Sequence, residues 1–263
     1  MGRLEGKSAV IIGAAAQNNM GQVMARRFRD EGAQVFVAGR KEEALKELAT
    51  ELGGGYALCD IAKRDEVFAL AQAAKKEMGK VDIAVNSTGW GLMKPFMDVT
   101  EEDIDMITGI QFKGSFFFYQ AMIDAMTNGG SLIQISSATA TLMVNDHAPY
   151  MGTKAGTDHV IRCIANEFGD QGIRANSISP GLTDTPMTAD AKAVPGMFDA
   201  FVESYPLGRI GTSEDIAAAA VFLASDECFM SGENLQINGG LCLRGNPSRQ
   251  DVERCVAKAM QGA

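Results

Sequence analysis

Ser8-Ala9-Val10-Ile11-Ile12-Gly13-Ala14-Ala15-Ala16-Gln17-Asn18-Asn19-Met20-Gly21 opens the pattern that decides the fold. Ser8 to Ile12 is a short apolar run ending at Gly13 and reads as a strand. From Met20 to Glu31 the apolar positions Met20, Val23, Met24 and Phe28 recur at helical spacing, and Gly32 stops the run. Gln34 to Ala38 is a second strand. A β-α-β opening of this kind fits a dinucleotide-binding unit. The turn between strand and helix is built of small residues. Phosphate binding requires this, so that backbone N–H groups and a helix N-terminus can approach a pyrophosphate.

The alternation continues outward from that unit. Tyr56–Asp60, Val81–Val85, Ser131–Ile135, Gly172–Ser179 and Asn234–Ile237 read as further strands. Helical patterns separate them at about Arg64 to Met78, Glu101 to Met126, Tyr150 to Phe168, and after the capping stretch Thr212-Ser213-Glu214-Asp215 through Ala224. The expected fold is α/β: a single-domain, doubly wound parallel sheet (Rossmann-like) of about seven strands, with helices on both faces and ligands at the carboxyl ends of the strands. Residues 1–263 form one domain, with no internal repeat, low-complexity run or linker.

Composition excludes several classes of function. The net charge of −9 and a pI near 4.8 argue against nucleic acid or an anionic membrane as the main partner. The five cysteines are scattered without a Cys-x2-Cys pair, and there are two histidines, so neither a disulfide framework nor a metal site is expected. The N-terminal stretch lacks an apolar signal region and no run is long enough to span a bilayer; a cytoplasmic protein is the default expectation.

The chemistry-bearing residues lie between the fifth expected strand and the helix after it. Ser137 follows the strand end, Tyr150 stands thirteen residues on, and Lys154 four residues after that. If Tyr150 opens a helix, Lys154 lies one turn later on the same face. An ammonium beside a phenol favours phenolate and is expected to lower its pKa from about 10. Such a tyrosine can give a proton to a carbonyl oxygen or take one from an alcohol.

Ser-x12-Tyr-x3-Lys resembles the active site of the short-chain dehydrogenase/reductases, which move hydride between a nicotinamide and a carbonyl or alcohol. The resemblance covers about residues 5 to 243. It implies that Ser137, Tyr150 and Lys154 are catalytic, and that Gln111 stands where the family usually has an asparagine holding a water linked to the catalytic lysine. It implies cofactor contacts at Gly13, Asn19, Met20 and Gly21 in the glycine loop, at Asp60 and Ile61, at Asn86 and Gly89 in the turn after the fourth strand, and at Pro180, Gly181, Thr183 and Thr185. Tyr150 and Lys154 also border the cofactor. The loop departs from the family's Gly-x3-Gly-x-Gly form. It is two residues longer, with Asn19 where the middle glycine would fall, and its spacing is similar to the enoyl reductase branch. No acid stands at 39 or 40, and Arg40 can pair with a 2′-phosphate, so NADP(H) is the expected cofactor, ahead of NAD(H).

The expected reaction is interconversion of a ketone and a secondary alcohol on a hydrophobic small molecule. Trp90, Met93, Leu142, Met143, Met187 and Met197 supply an apolar wall. The alternatives are enoyl (C=C) reduction and a catalytically weak cofactor-binding sensor or scaffold. Residues 186–205 suit a substrate lid. His147 is a loop residue that the chemistry does not need. The family resemblance implies a homotetramer. The extension 244–263 carries Val252, Cys255, Val256, Ala259 and Met260 at helical spacing and is expected to dock on a neighbouring subunit.

Overall fold

A computed structural model describes residues 2–261. Seven strands form one wholly parallel sheet: β1 (Ser8–Ile12), β2 (Gln34–Gly39), β3 (Gly55–Leu58), β4 (Ile83–Asn86), β5 (Gly130–Ile135), β6 (Ile173–Pro180) and β7 (Asn234–Ile237). Their order is β3-β2-β1-β4-β5-β6-β7. The direction of winding reverses between β1 and β4, where a crevice opens outside the carboxyl ends.

The helices are α1 (Met20–Asp30), α2 (Glu42–Leu52), α3 (Arg64–Met78), α4 (Glu101–Thr108), α5 (Gly114–Ala125), α6 (Ala148–Glu167), α7 (Ala189–Ala193), α8 (Met197–Val202), α9 (Ser213–Ala224), α10 (Leu241–Arg244) and α11 (Arg249–Gln261). Successive strand residues point to opposite faces. Ala9 and Ile11 of β1 therefore join a core with Met24, Phe28, Leu45 and Leu48 of α1 and α2 and Ile216 and Val221 of α9. Val10 and Ile12 join a second core with Val67 and Leu70 of α3, Phe118 and Met122 of α5 and Ile161 of α6. Burial on both faces explains why β1 is a continuous apolar run rather than an alternating one.

Element ends follow local chemistry. Thr212 caps α9 in a capping box with Asp215, as the sequence predicts, and Arg209 grips the same carboxylate at 2.7 and 2.8 Å. One expected element is broken. The helix predicted from Glu101 to Met126 is α4 and α5 joined by a π-helical turn, Gly109–Lys113. A π turn holds an extra residue, which re-aims its side chains; here Gln111 is the residue turned inward and buried.

The tail is a helix, as its apolar spacing predicts. α11 lies against α8 of its own chain, with Val252, Cys255, Val256 and Ala259 half-buried and Met260 exposed. The contact is close: a Cβ at Gly196 would fall 2.4 Å from the Cys255 carbonyl oxygen. The apolar stripe thus packs against α8 of the same chain. Among the described residues no helix is long and apolar enough to cross a membrane, and no group of three or more His, Cys, Asp or Glu is placed to hold a metal ion.

Candidate active site

The site is assembled where β1, β4, β5 and β6 end. β5 delivers Ser136 and Ser137, and α6 begins two residues before Tyr150 with Pro149 in its first turn, where the missing N–H costs nothing. Tyr150 and Lys154 lie one turn apart on α6 as expected, with Lys154 Nζ 5.6 Å from the centre of the Tyr150 ring. Lys154 is only 3% exposed; its Nζ donates to the Ile135 carbonyl at 2.8 Å and reaches toward that of Thr88 at 3.5 Å. Burial lowers its pKa to about 8, partly offset by the charge of Asp158.

The phenol behaves differently from the sequence expectation. Burial pushes the Tyr150 pKa above its usual value, and the opposing influence is the nearby Ser137 hydroxyl, not the ammonium. The reason is geometric: Lys154 spends its protons on backbone carbonyls. Ser137 in turn pairs with the Thr139 hydroxyl at 2.8 Å.

Gln111 sits beside this group with both ends of its amide engaged. Oε1 accepts from the Trp90 backbone N–H at 2.8 Å, and Nε2 donates to the Thr153 hydroxyl at 2.6 Å. Its carbonyl accepts from Ser115 at 2.7 Å. Neither amide bond reaches Lys154, so Gln111 ties the turn after β4 to α6. His147 has a larger part than its sequence suggested. Its ring stacks on Tyr150 at 4.3 Å and 22°, and Nδ1 lies 2.6 Å from the Leu92 carbonyl, to which it can only donate. Burial lowers its pKa. Nothing in its local sequence announces this, because the stacking depends on the path of the 138–147 loop.

The glycine loop forms the floor of the crevice. Gly13 has φ +95°, and a Cβ there would lie 2.7 Å from the Ser87 backbone; one at Gly21 would lie 2.7 Å from the Gly13 carbonyl. Asn19 is the N-cap of α1: its Oδ1 accepts from the Gln22 N–H at 3.0 Å and its Nδ2 donates to the Gly13 carbonyl at 2.7 Å. The residue in the middle-glycine position therefore braces the loop through its side chain. Met20 follows as the first residue of α1 and packs against the first core.

At the end of β2, Gly39 is buried against Ala15, with only 2.5 Å between a Cβ built there and the Ala15 Cβ, while Arg40 is exposed. Asp60 accepts from the Ala62 N–H at 3.1 Å, and Ile61 is buried. Asn86 is fully buried; it donates to Ser115 at 3.1 Å and accepts from the Thr88 hydroxyl at 2.7 Å, tying β4 to α5. Gly89 lies between Gln111 and Lys154, a Cβ there falling 3.4 Å from Oε1 and 3.8 Å from Nζ. Pro180 ends β6, and Gly181 leaves room for Tyr205. Thr183 is buried with its hydroxyl on the Gly181 carbonyl at 3.0 Å, and Thr185 caps the short 3-10 turn Pro186–Thr188.

Two walls flank the crevice. In one, the 88–95 turn is joined to the 138–147 loop through His147 and through a Lys94 N–H to Asp146 carbonyl bond at 2.6 Å. The other is formed by α7 and α8, and Met187, just before them, lies over Gly89 and Gly91. The tail spans both. Asn246 donates to the Met143 carbonyl at 3.1 Å, Arg249 pairs with Asp146 at 2.5 Å, and Arg244 donates to the Glu203 carbonyl at 3.2 Å.

Comparison with known proteins agrees with this architecture. A sequence model described as enoyl-(acyl carrier protein) reductase matches residues 13–242. D-threitol dehydrogenase of Mycolicibacterium smegmatis is 35% identical over 251 residues, 92% of this chain and 95% of that one. The mitochondrial borneol dehydrogenase of Lavandula x intermedia is 34% identical over 246 residues, 92% of each chain. The solved structure of a gluconate 5-dehydrogenase from Burkholderia cenocepacia, in complex with NADP and tartrate, superimposes with a TM-score of 0.87 at 27% identity, covering 92% of this chain and 97% of that one. Fold and site define a dinucleotide-binding oxidoreductase of the doubly wound class. Within that class the chain belongs to the short-chain dehydrogenase/reductase family.

Proposed function

We propose that this protein interconverts a ketone and a secondary alcohol on a hydrophobic small molecule, with NADP(H) as cofactor. The observation that carries the reading is the convergence of Ser137, Tyr150 and Lys154 at the carboxyl edge of the sheet, beside a glycine turn too tight for side chains.

The nicotinamide, when bound, supplies or accepts the hydride. Gly13, Asn19, Met20 and Gly21 would hold its pyrophosphate end, Asp60, Ile61 and Asn86 the adenosine side, and Gly89, Pro180, Gly181, Thr183 and Thr185 the nicotinamide side. In reduction, Tyr150 donates its phenolic proton to the substrate oxygen while Ser137 holds that oxygen. Its raised pKa keeps the phenol protonated at neutral pH, as a proton donor requires. Lys154 places a positive charge beside the phenolate that forms. Oxidation runs the same steps in reverse.

Two features support the 2′-phosphate. Arg40 is exposed at the end of β2, and the Ala15–Gly39 contact leaves no room for the ribose-binding acid at 39. The NADP complex of the gluconate 5-dehydrogenase agrees. For the substrate, the half-buried Trp90, Leu142 and Met197 and the exposed Met93, Met143 and Met187 make an apolar, adaptable wall. Borneol dehydrogenase is named for a hydrophobic alcohol, D-threitol dehydrogenase for a polyol; the wall favours the former class.

NADPH consumption over a panel of ketones and enones, with NADP+ reduction by polyols alongside, tests the reading. Ketone turnover supports it, and a screen in which only polyols react overturns the substrate class. Enoyl reduction draws on the long glycine loop and the matching family description. That branch spaces its tyrosine and lysine by six residues, and here the position seven after Tyr150 is Thr157, buried and bonded to the Thr153 and Lys154 carbonyls. Enone-only turnover would install that reading, and tight binding without turnover a sensor or scaffold. The same proposal includes a homotetramer in the cytoplasm; exposed Phe96, Met97, Phe229 and Leu243 suit subunit contacts, and light scattering measures the assembly.

A further inference from the structure

Tyr150, Lys154 and Asp158 stand four residues apart on α6 and share one face. The third has no part in the chemistry above, yet it is the most constrained carboxylate near the site. Oδ2 accepts from the Ser136 hydroxyl of the β5 end at 2.8 Å and from the Asn234 amide of β7 at 2.7 Å. Oδ1 is enclosed and without a hydrogen-bond partner. Ser177 approaches from β6 and favours the ionised form, but without hydrogen-bond geometry. Asp158 as a whole is half-buried, yet an enclosed carboxylate oxygen with no partner is costly unless a charge offsets it.

Lys154 is the buried cation available. Its Nζ meets the Ile135 and Thr88 carbonyls. Residues four apart on a helix are neighbours, so the two charges act on each other at short range. The other charged groups around Asp158 are His159 and Arg162 of α6 and Glu233 before β7. All three are exposed and line a solvent-open cleft of ≈ 260 Å³ with Asp158 and Asn234. Water screens them, which leaves Lys154 as the partner on the enclosed side.

We propose that Asp158 is a positioning residue for the reaction: it is the counter-charge that keeps Lys154 an ammonium, and through Ser136 it anchors the end of β5 from which Ser137 reaches the substrate. The proposal rests on the reading above only in giving Lys154 a catalytic task. The directions of titration agree with the geometry. Burial lowers Lys154 while Asp158 raises it, and burial raises Asp158 while its hydroxyl and amide donors and Lys154 lower it.

The test is Asp158→Asn, which keeps shape and removes charge. Protein labelled with 13C at lysine Cε is titrated by NMR, with the Lys154 resonance assigned by its loss in Lys154→Met. The Lys154 midpoint is expected to fall by on the order of one pH unit. The alkaline limb of kcat/KM for ketone reduction should fall with it. Asp158→Glu, which keeps the charge, should recover part of both. An unmoved lysine midpoint, whatever happens to turnover, overturns the proposal and leaves Asp158 a packing residue. If Asp158→Asn does not fold, Lys154→Met reads the coupling from the other side: the Asp158 carboxyl carbon must titrate at higher pH than in the wild type, and no change overturns the proposal equally. Neither titration needs turnover, so a failed substrate screen and a failed coupling remain distinguishable.

Discussion

Tyr150 is held from two directions: His147 stacks on its ring and Lys154 lies over its face. Tyr150→Phe keeps the ring and removes the proton. Turnover is expected to fall by at least ~10²-fold with cofactor affinity little changed; near-normal turnover would remove Tyr150 from the mechanism. The pH dependence follows from Lys154. A lysine whose working form is the ammonium is fully active below its pKa and loses that form as pH rises through it. With burial placing that value at about 8, ketone reduction should decline above pH 8, and a profile still flat at pH 10 would contradict the assignment. The convergence of Ser137, Tyr150 and Lys154 was legible because their spacing falls just past the end of one strand and in the first turns of one helix. The fate of the Gln111 amide was not, since a π turn redirects the side chain and no apolar period marks where one inserts.

Among elements, β1 and β7 have the bounds the sequence indicated, and α3 does as well. Strong apolar runs and glycine stops define such segments. The third and fourth strands lie a few residues from where their apolar runs suggested, because sheet pairing ends where the neighbour's register ends. The β1-α1-β2 unit carries the cofactor prediction. Arg40→Asp should move the preference from NADPH toward NADH, since it replaces a phosphate partner with a ribose partner. A charge-assisted hydrogen bond of roughly 1.5–3 kcal/mol corresponds to about 10- to 100-fold in the ratio of kcat/KM values. Wild type already preferring NADH would defeat the idea before any variant is made. At α9, Thr212→Ala removes the cap and should cost about 0.5–2 kcal/mol in denaturant unfolding; an unchanged midpoint would show the Arg209–Asp215 pair sufficient without the cap.

For the whole molecule, both large cores are built from buried residues between Leu4 and Cys228, with partly buried neighbours as far as Ile237, and α11 contributes no fully buried side chain. Deleting residues 246–263 should therefore leave a folded protein. The same deletion removes the Asn246 and Arg249 contacts to the 143–146 wall and uncovers α8. An altered KM with little change in melting temperature is the expected result, strongest for substrates that fill the pocket. A sharp loss of stability with KM unchanged would make the tail a prop for the fold rather than a tie across the pocket mouth. The tail's helical stripe could be read in advance; its contact with α8 could not, because α8 lies far earlier in the chain.

The Ala15–Gly39 contact has an evolutionary consequence. An aspartate at 39 would meet the Ala15 methyl group before it met any ribose. A lineage drifting toward NADH by that route must shrink residue 15 first, a change that brings no benefit alone. The two substitutions are coupled in order, so a path through 39 takes two steps, while a path through Arg40, exposed and unhindered, takes one.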